Sequence, residues 1–267
     1  MRALTRDPKK AEGLGPNVEV FKGDLIDMTT VATMCDGIDG MFLLNGLGLE
    51  EASEGLFAVL AARLAKVKRL VYMSVHQIEQ APYLPHFGGK LGVEAGVRAS
   101  GAAWTILRPN NFYQNDMWFK DAVLQYGVYP QPIGGIGVSR VDVRDIAEAA
   151  AIALMDDGHA GRVYELVGPR PWTGEETAQL WSQAVGKPVR YAGDDLEAWE
   201  KQQLQWLPPF LVYDFKHMYA YFQENGFKGT AEEIAALTKL LGHAPRGYEA
   251  YVAETAAAWT GQGAPAR

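Results

Sequence analysis

What this chain of 267 residues has little of narrows it first. One cysteine, Cys35, allows no internal disulfide and no multi-cysteine metal site, a usage that fits a reducing cytoplasm. The thiol reads as part of a core or a helix surface. No charge-free apolar run approaches the ~18 residues of a membrane span, and no charged stretch followed by an apolar one opens the chain. The expectation is a cytoplasmic protein with no membrane partner. Positive charge is scarce: 25 Lys and Arg against 32 Asp and Glu give a net charge of -7, which disfavours a broad cationic surface for nucleic acid. His-Glu-x-x-His, Gly-x-Ser-x-Gly and Walker signatures are absent, and the five histidines show no ligand spacing. Gly134 to Gly137 comes too late and is wrongly flanked for a phosphate loop, so it reads as a turn before Val138. No Gly-rich strand-to-helix turn precedes the first apolar run at 1–5.

What is present is alternation. Short apolar runs at 1–5, 18–22, 40–45, 69–74, 103–108 and 162–167 read as strands, with helical patterns between them. That order predicts an α/β fold, a Rossmann-like doubly wound parallel sheet over residues 1–168. A smaller, mostly helical lobe is expected over 169–260 and a frayed tail over 261–267. Asp7-Pro8 supplies an N-cap and first-turn pair, and Asp27 can cap a helix running toward Cys35. Leu56, Val59, Leu60, Leu64 and Val67 predict one buried helix face, and Ile146, Ala149, Ala150, Ala153 and Leu154 predict another. Thr173 with Glu176 and Thr230 with Glu233 fit capping boxes, the second leading into Ile234, Leu237, Leu240 and Leu241. The aromatics of the lobe, among them Trp181, Trp206, Phe210, Tyr213 and Tyr219, suit a core, a dimer contact or an apolar substrate wall.

In an open parallel sheet the ligand crevice lies beyond the carboxyl ends of the strands. Polar residues follow the apolar runs here: Thr5-Arg6, Gly23-Asp24, Asn45-Gly46, Ser74 and Arg108-Pro109-Asn110-Asn111. Together they predict convergence on one crevice. A guanidinium at Arg6 can grip a ribose 2′-phosphate bidentately, where a carboxylate would favour NAD, so NADP(H) is expected in preference to NAD(H). A solvated turn formed by Arg6, Lys9 and Lys10 is the alternative.

Five strings occur in a specific order: Arg2-Ala-Leu-Thr-Arg-Asp-Pro8, Val20-Phe-Lys-Gly-Asp24, Leu70-Val-Tyr-Met-Ser-Val75, Thr105-Ile-Leu-Arg-Pro-Asn-Asn-Phe112 with Asn115, and Val141-Asp-Val-Arg-Asp-Ile-Ala147. Over nearly its whole length the chain resembles the NmrA-like branch of the atypical short-chain dehydrogenases/reductases. The resemblance implies that a first strand and Gly-rich turn lie just upstream of Met1. On that reading the start is displaced or the gene truncated, and the chain as given binds NADP(H) weakly or not at all. It also implies a cofactor side built from Thr5, Arg6, Lys9, Asp24, Leu25, Leu44, Asn45 and Gly46, with Ser74 and Lys90. For Asp24 a plain helix-entry role is the alternative.

Standard members of the wider group use a strand-end Ser and a Tyr-x-x-x-Lys pair. Ser74 and Lys90 match, but His86 stands in the Tyr position. The ordinary His pKa near 6.5 suits proton donation at neutral pH, so Ser74, His86 and Lys90 are the candidate catalytic residues. A pocket-lining or solvated histidine is the alternative. Gly88 and Gly89 weaken the helix that would bring His86 and Lys90 to one face. Lys90 either pairs with Glu94 on a helix surface or turns into the crevice. Asn110, Asn111, Phe112 and Asn115 shape the substrate side, or form an Asn-rich loop. The expected function is an NAD(P)H-dependent oxidoreductase acting on a small carbonyl or quinone-like acceptor. A non-catalytic redox sensor and a truncated remnant are the alternatives, and a homo-oligomer is compatible with either.

Overall fold

The computed structural model describes residues 1–261, so all but the first residue of the expected tail lies outside the described residues. In chain order the elements are β1 (Arg2–Thr5), a 3-10 turn (Pro8–Ala11), β2 (Glu19–Lys22), α1 (Met28–Thr33), β3 (Gly40–Leu43), α2 (Glu51–Leu64), β4 (Arg69–Met73), α3 (Pro85–Arg98) and β5 (Ala103–Pro109). A second 3-10 segment (Tyr113–Phe119) leads to α4 (Lys120–Tyr126), β6 (Val128–Tyr129), α5 (Val143–Met155) and β7 (Arg162–Leu166). The remainder is α6 (Gly174–Val185), β8 (Arg190–Tyr191), α7 (Leu196–Gln203), α8 (Pro209–Asn225), α9 (Ala231–Leu241) and α10 (Tyr248–Thr260).

All six strands expected from the apolar runs form, and every pairing is parallel. They divide into a β1-β2 pair and a β3-β4-β5-β7 sheet, with no ladder joining β1 to β3. Parallel strands normally have both faces covered, yet Val20 on β2 and Phe42 on β3 are exposed. The two-residue pair of β6 with β8 was not legible in the sequence, because two residues carry no periodicity.

Local chemistry sets the helix starts. Asp7 accepts from the Lys9 N–H, and Asp27 accepts from those of Thr29 and Thr30. Both capping boxes form: Thr173 with Glu176 opens α6, and Thr230 with Glu233 opens α9.

Two helical layers sandwich the larger sheet. On one face α2 and α3 bury Val59, Ala62, Val93 and Val97 against Leu43, Leu70, Tyr72 and Ile106. On the other, Ile146, Ala149, Ala150 and Ala153 of α5 join Leu237 and Leu241 of α9 against Val71, Leu107 and Leu166. The stripe expected on α2 is corrected: Val59 and Val67 are buried, but Leu56, Leu60 and Leu64 are exposed. α2 instead packs through small residues. A Cβ on Gly55 would come within 2.7 Å of Val93, and one on Gly96 of α3 within 2.8 Å of Leu56. Clusters span residue 168: Tyr113, Val123 and Tyr129 pack with Trp172, Trp181, Tyr248 and Tyr251. Cys35 is a core thiol, and burial pushes its pKa to about 11, which leaves it protonated and inert.

Candidate active site

The strand tips on the β1-β2 side meet one another. Arg6 leaves the end of β1 with its guanidinium largely in solvent, 4.0 Å from the Asp24 carboxylate beyond β2. Its charge also reaches α2, where burial raises the Glu54 carboxyl and Arg6 opposes that rise. Thr5 Oγ1 donates to the Asp7 carbonyl and accepts the Asp7 N–H, fixing the turn that aims Arg6. Lys9 is exposed on the 3-10 turn, and Leu25 packs half-buried against the core under α2. Leu44 and Gly46 lie exposed on the loop after β3.

Between β3, β4 and the two helices lies a buried polar cluster. Asn45 Nδ2 donates to the Glu51 carbonyl at 2.6 Å, and the Glu51 carboxylate is 2.5 Å from Lys90 Nζ. Lys90 Nζ in turn sits 6.0 Å from the centre of the Tyr72 ring. Asn45 Oδ1 and the Tyr72 hydroxyl are buried without a hydrogen-bond partner, as is Asn111 Oδ1 beyond β5, and Ser74 Oγ is buried beside the Glu94 carboxylate, which it helps to hold ionised. Leaving such groups unpaired costs about 1–3 kcal/mol each, and here they gather at the carboxyl ends of adjacent strands. That is where a dinucleotide with ribose hydroxyls and a carboxamide would satisfy them, so the residues present fit the group. Burial, then the charges of Glu51 and Glu94, push the Tyr72 phenol far up, so its hydroxyl stays protonated.

α3 is a regular helix from Pro85 despite Gly88 and Gly89, so His86 and Lys90 share a face. Gly88 is required there, since a Cβ would meet the Pro82 carbonyl oxygen at 2.6 Å. The Lys90–Glu94 surface pair does not form. Glu94 is fully buried and bonded to Arg108 and Arg98 instead. Burial alone would raise its carboxyl, but the Arg108 guanidinium, the Ser74 hydroxyl and Arg98 hold it below the usual range.

His86 faces a cavity of about 320 Å³ between the loop after β3, the first turn of α3, and α8. Leu47, Leu49, Phe210 and Leu211 give it apolar walls, and Glu51 and Asp214 also line it. His86 Nδ1 lies 2.8 Å from both carboxylate oxygens of Asp214. The lobe aromatics divide accordingly: Trp181, Tyr219 and Phe222 are core, whereas Phe210 and Tyr213 border this cavity. A shallower depression of about 470 Å³ lies at the other end of β1 and β2, lined by Met1, Arg2, Asn17 and Glu19, away from these groups.

The substrate side expected beyond β5 is corrected in part. Asn110 Nδ2 donates to the Phe227 carbonyl at 2.8 Å and lies 2.9 Å from His76 Nδ1, while its Oδ1 accepts the Asn111 N–H. With its amide engaged inside the protein, Asn110 braces β5 instead of facing a ligand. Arg108 is likewise internal, bonded to Glu94, Glu79 and Glu165. Phe112 packs against the α5 core, and its carbonyl accepts from Arg140. Asn115 is half-buried in the second 3-10 segment. Arg140 and Asp116 form a fully buried pair that also takes Tyr129, Tyr248 and Trp181, tying α10 and α6 to the core.

Sequence reasoning missed Glu51, Tyr72 and Asp214. Tyr72 was accessible, since it stands two residues before Ser74 and therefore on the same side of β4. Glu51 and Asp214 reach their partners only through tertiary packing.

The NAD(P)H azoreductase of Xenophilus azovorans is 32% identical over 242 residues, covering 89% of this chain and 84% of that protein. The (4-alkanoyl-5-oxo-2,5-dihydrofuran-3-yl)methyl phosphate reductase of Streptomyces griseus is 32% identical, covering 97% of this chain and 90% of its own. In fold the chain is similar to the NADPH-dependent quinone oxidoreductase of Escherichia coli solved with NADPH, with a TM-score of 0.84, 24% identity, and coverage of 95% and 89%. The model of the NmrA-like family matches residues 1–252, and the chain belongs to that family.

Proposed function

We propose that this protein is an NAD(P)H-dependent oxidoreductase that reduces a small carbonyl or quinone-like acceptor, with NADP(H) preferred, and that it works in the cytoplasm. The observation that carries this reading is the buried polar cluster at the strand ends, in which Asn45 Oδ1 and Tyr72 OH are unsatisfied and stand with Ser74 around the Lys90–Glu51 pair. Two relatives that are reductases by name support it. The dinucleotide supplies two electrons as hydride when bound. Lys90 would hold ribose hydroxyls, with Glu51 fixing its ammonium group. Arg6, largely exposed and only loosely paired with Asp24, is free to take a 2′-phosphate. Ser74 donates a hydrogen bond to the acceptor oxygen, and His86 returns the proton that the reduced oxygen needs.

The test is NADPH consumption with 1,4-naphthoquinone and with an aldehyde. It is run on the purified, folded protein. Turnover supports the reading. Tight NADPH binding without turnover favours a sensor, and a folded protein that neither binds nor turns over overturns the proposal.

A further inference from the structure

We propose that Asp214 is a positioning residue for His86 at the wall of the cavity they share. This rests on the oxidoreductase reading above. A buried carboxylate accepts hydrogen bonds and donates none, and Asp214 has only His86 as a side-chain partner among the described residues. His86 Nδ1 therefore donates to Asp214, which leaves Nε2 as the ring nitrogen available to a ligand. Nε2 makes no hydrogen bond to the described residues, and the ring borders the cavity. Its plane is held from the sides as well, by edge contacts with Phe87 at 4.7 Å and Phe215 at 6.2 Å between ring centres.

The construction joins distant parts of the chain. Phe210 and Asp214 stand one turn apart on α8, so one helix face supplies both an apolar wall and the anchor for the imidazole. Glu51 borders the same cavity and grips Lys90, which places the cavity beside the polar cluster at the strand ends. At about 320 Å³ the space is at the small end of ligand pockets, which run roughly 300–1,000 Å³.

The step balances simply. The acceptor carbonyl carbon would gain hydride from the dihydronicotinamide, which is left oxidised. The C=O π pair moves to oxygen, that oxygen takes the Nε2 proton of the imidazolium, and a quinone reduced in this way enolises to the hydroquinone. His86 is left neutral with Nδ1–H still bonded to Asp214, and water returns the proton to Nε2.

The experiment compares the wild-type protein with Asp214→Ala and with the size-matched Asp214→Asn. Each is titrated with NADPH, assayed with 1,4-naphthoquinone, and examined by ¹⁵N NMR of labelled histidine, with His86→Gln assigning the signal. The neutral wild-type ring is expected as the Nδ1–H tautomer, and both variants should shift toward Nε2–H. kcat should fall roughly hundredfold while the naphthoquinone KM and the NADPH Kd stay within about threefold. A wild-type Nε2–H tautomer, or a variant kcat within about threefold of wild type, overturns the proposal. A wild-type protein that turns over no acceptor fails the oxidoreductase reading instead, and the tautomer then reports on the His86–Asp214 geometry alone.

Discussion

Lys90 Nζ lies 2.5 Å from a carboxylate oxygen of Glu51, an ion pair buried between α3 and the first turn of α2. A buried pair is costly to break from one side, because the remaining charge stays out of water. Lys90→Ala should destabilise the protein by about 3–5 kcal/mol, and Lys90→Met combined with Glu51→Gln should recover most of that loss. Urea unfolding of the single and double variants measures it. Equal losses in both would show that the pair is not coupled.

Glu94 gives the acid side of the stability profile a definite sign. Its folded pKa is lowered by Arg108, Ser74 and Arg98 against the burial that would raise it, so its contribution is complete above the ordinary value of about 4.3 and is lost as pH falls through the folded pKa. Glu165 runs the other way. Burial raises its carboxyl, so its contribution is present at low pH and lost as pH rises through the raised value. Glu94→Gln should therefore flatten the fall in stability below about pH 4.3, and Glu165→Gln should raise stability at neutral pH relative to acid. Urea midpoints taken from pH 3 to 7 decide both signs.

Two glycines of α3 should respond in opposite directions. Gly88→Ala drives a Cβ onto the Pro82 carbonyl oxygen, forcing the helix start to shift and moving His86 with it. Gly92 has open space around the same position, so Gly92→Ala should stabilise by about 0.4–1 kcal/mol. Thermal unfolding distinguishes them, and activity with 1,4-naphthoquinone should fall only for the first.

The caps of α6 and α9 each satisfy a backbone N–H through a threonine. Thr173→Ala and Thr230→Ala should each cost about 1 kcal/mol, or about 2–4 °C in Tm. Calorimetry on the two single variants and their combination checks the values and their additivity.

The elements legible in the sequence were those specified by near neighbours. The six main strands announced themselves as short apolar runs, and Thr173 with Glu176 marked a helix start three residues apart. The face of α2 was misread because leucines outweighed the quieter signal of Gly55, Ala58 and Ala62, which let α3 approach. In the candidate site, order and spacing pointed to Ser74, His86 and Lys90, and α3 carries the latter two on one face. Their partners were not legible: Glu51 and Asp214 are far away in the chain, and no local pattern decides between a Lys90–Glu94 surface pair and the observed pairing of Glu94 with Arg108. Asn110 looked like a ligand residue because its type and place suited one, and only the packing of His76 and Phe227 shows its amide already engaged.

If the strand tips hold an adenine dinucleotide as proposed, Arg6 grips its 2′-phosphate. Calorimetric titration of NADPH and NADH into wild type and Arg6→Ala measures this. Arg6→Ala is expected to weaken NADPH about tenfold or more and to leave NADH within about twofold. Equal losses for both cofactors, or none for NADPH, would contradict it.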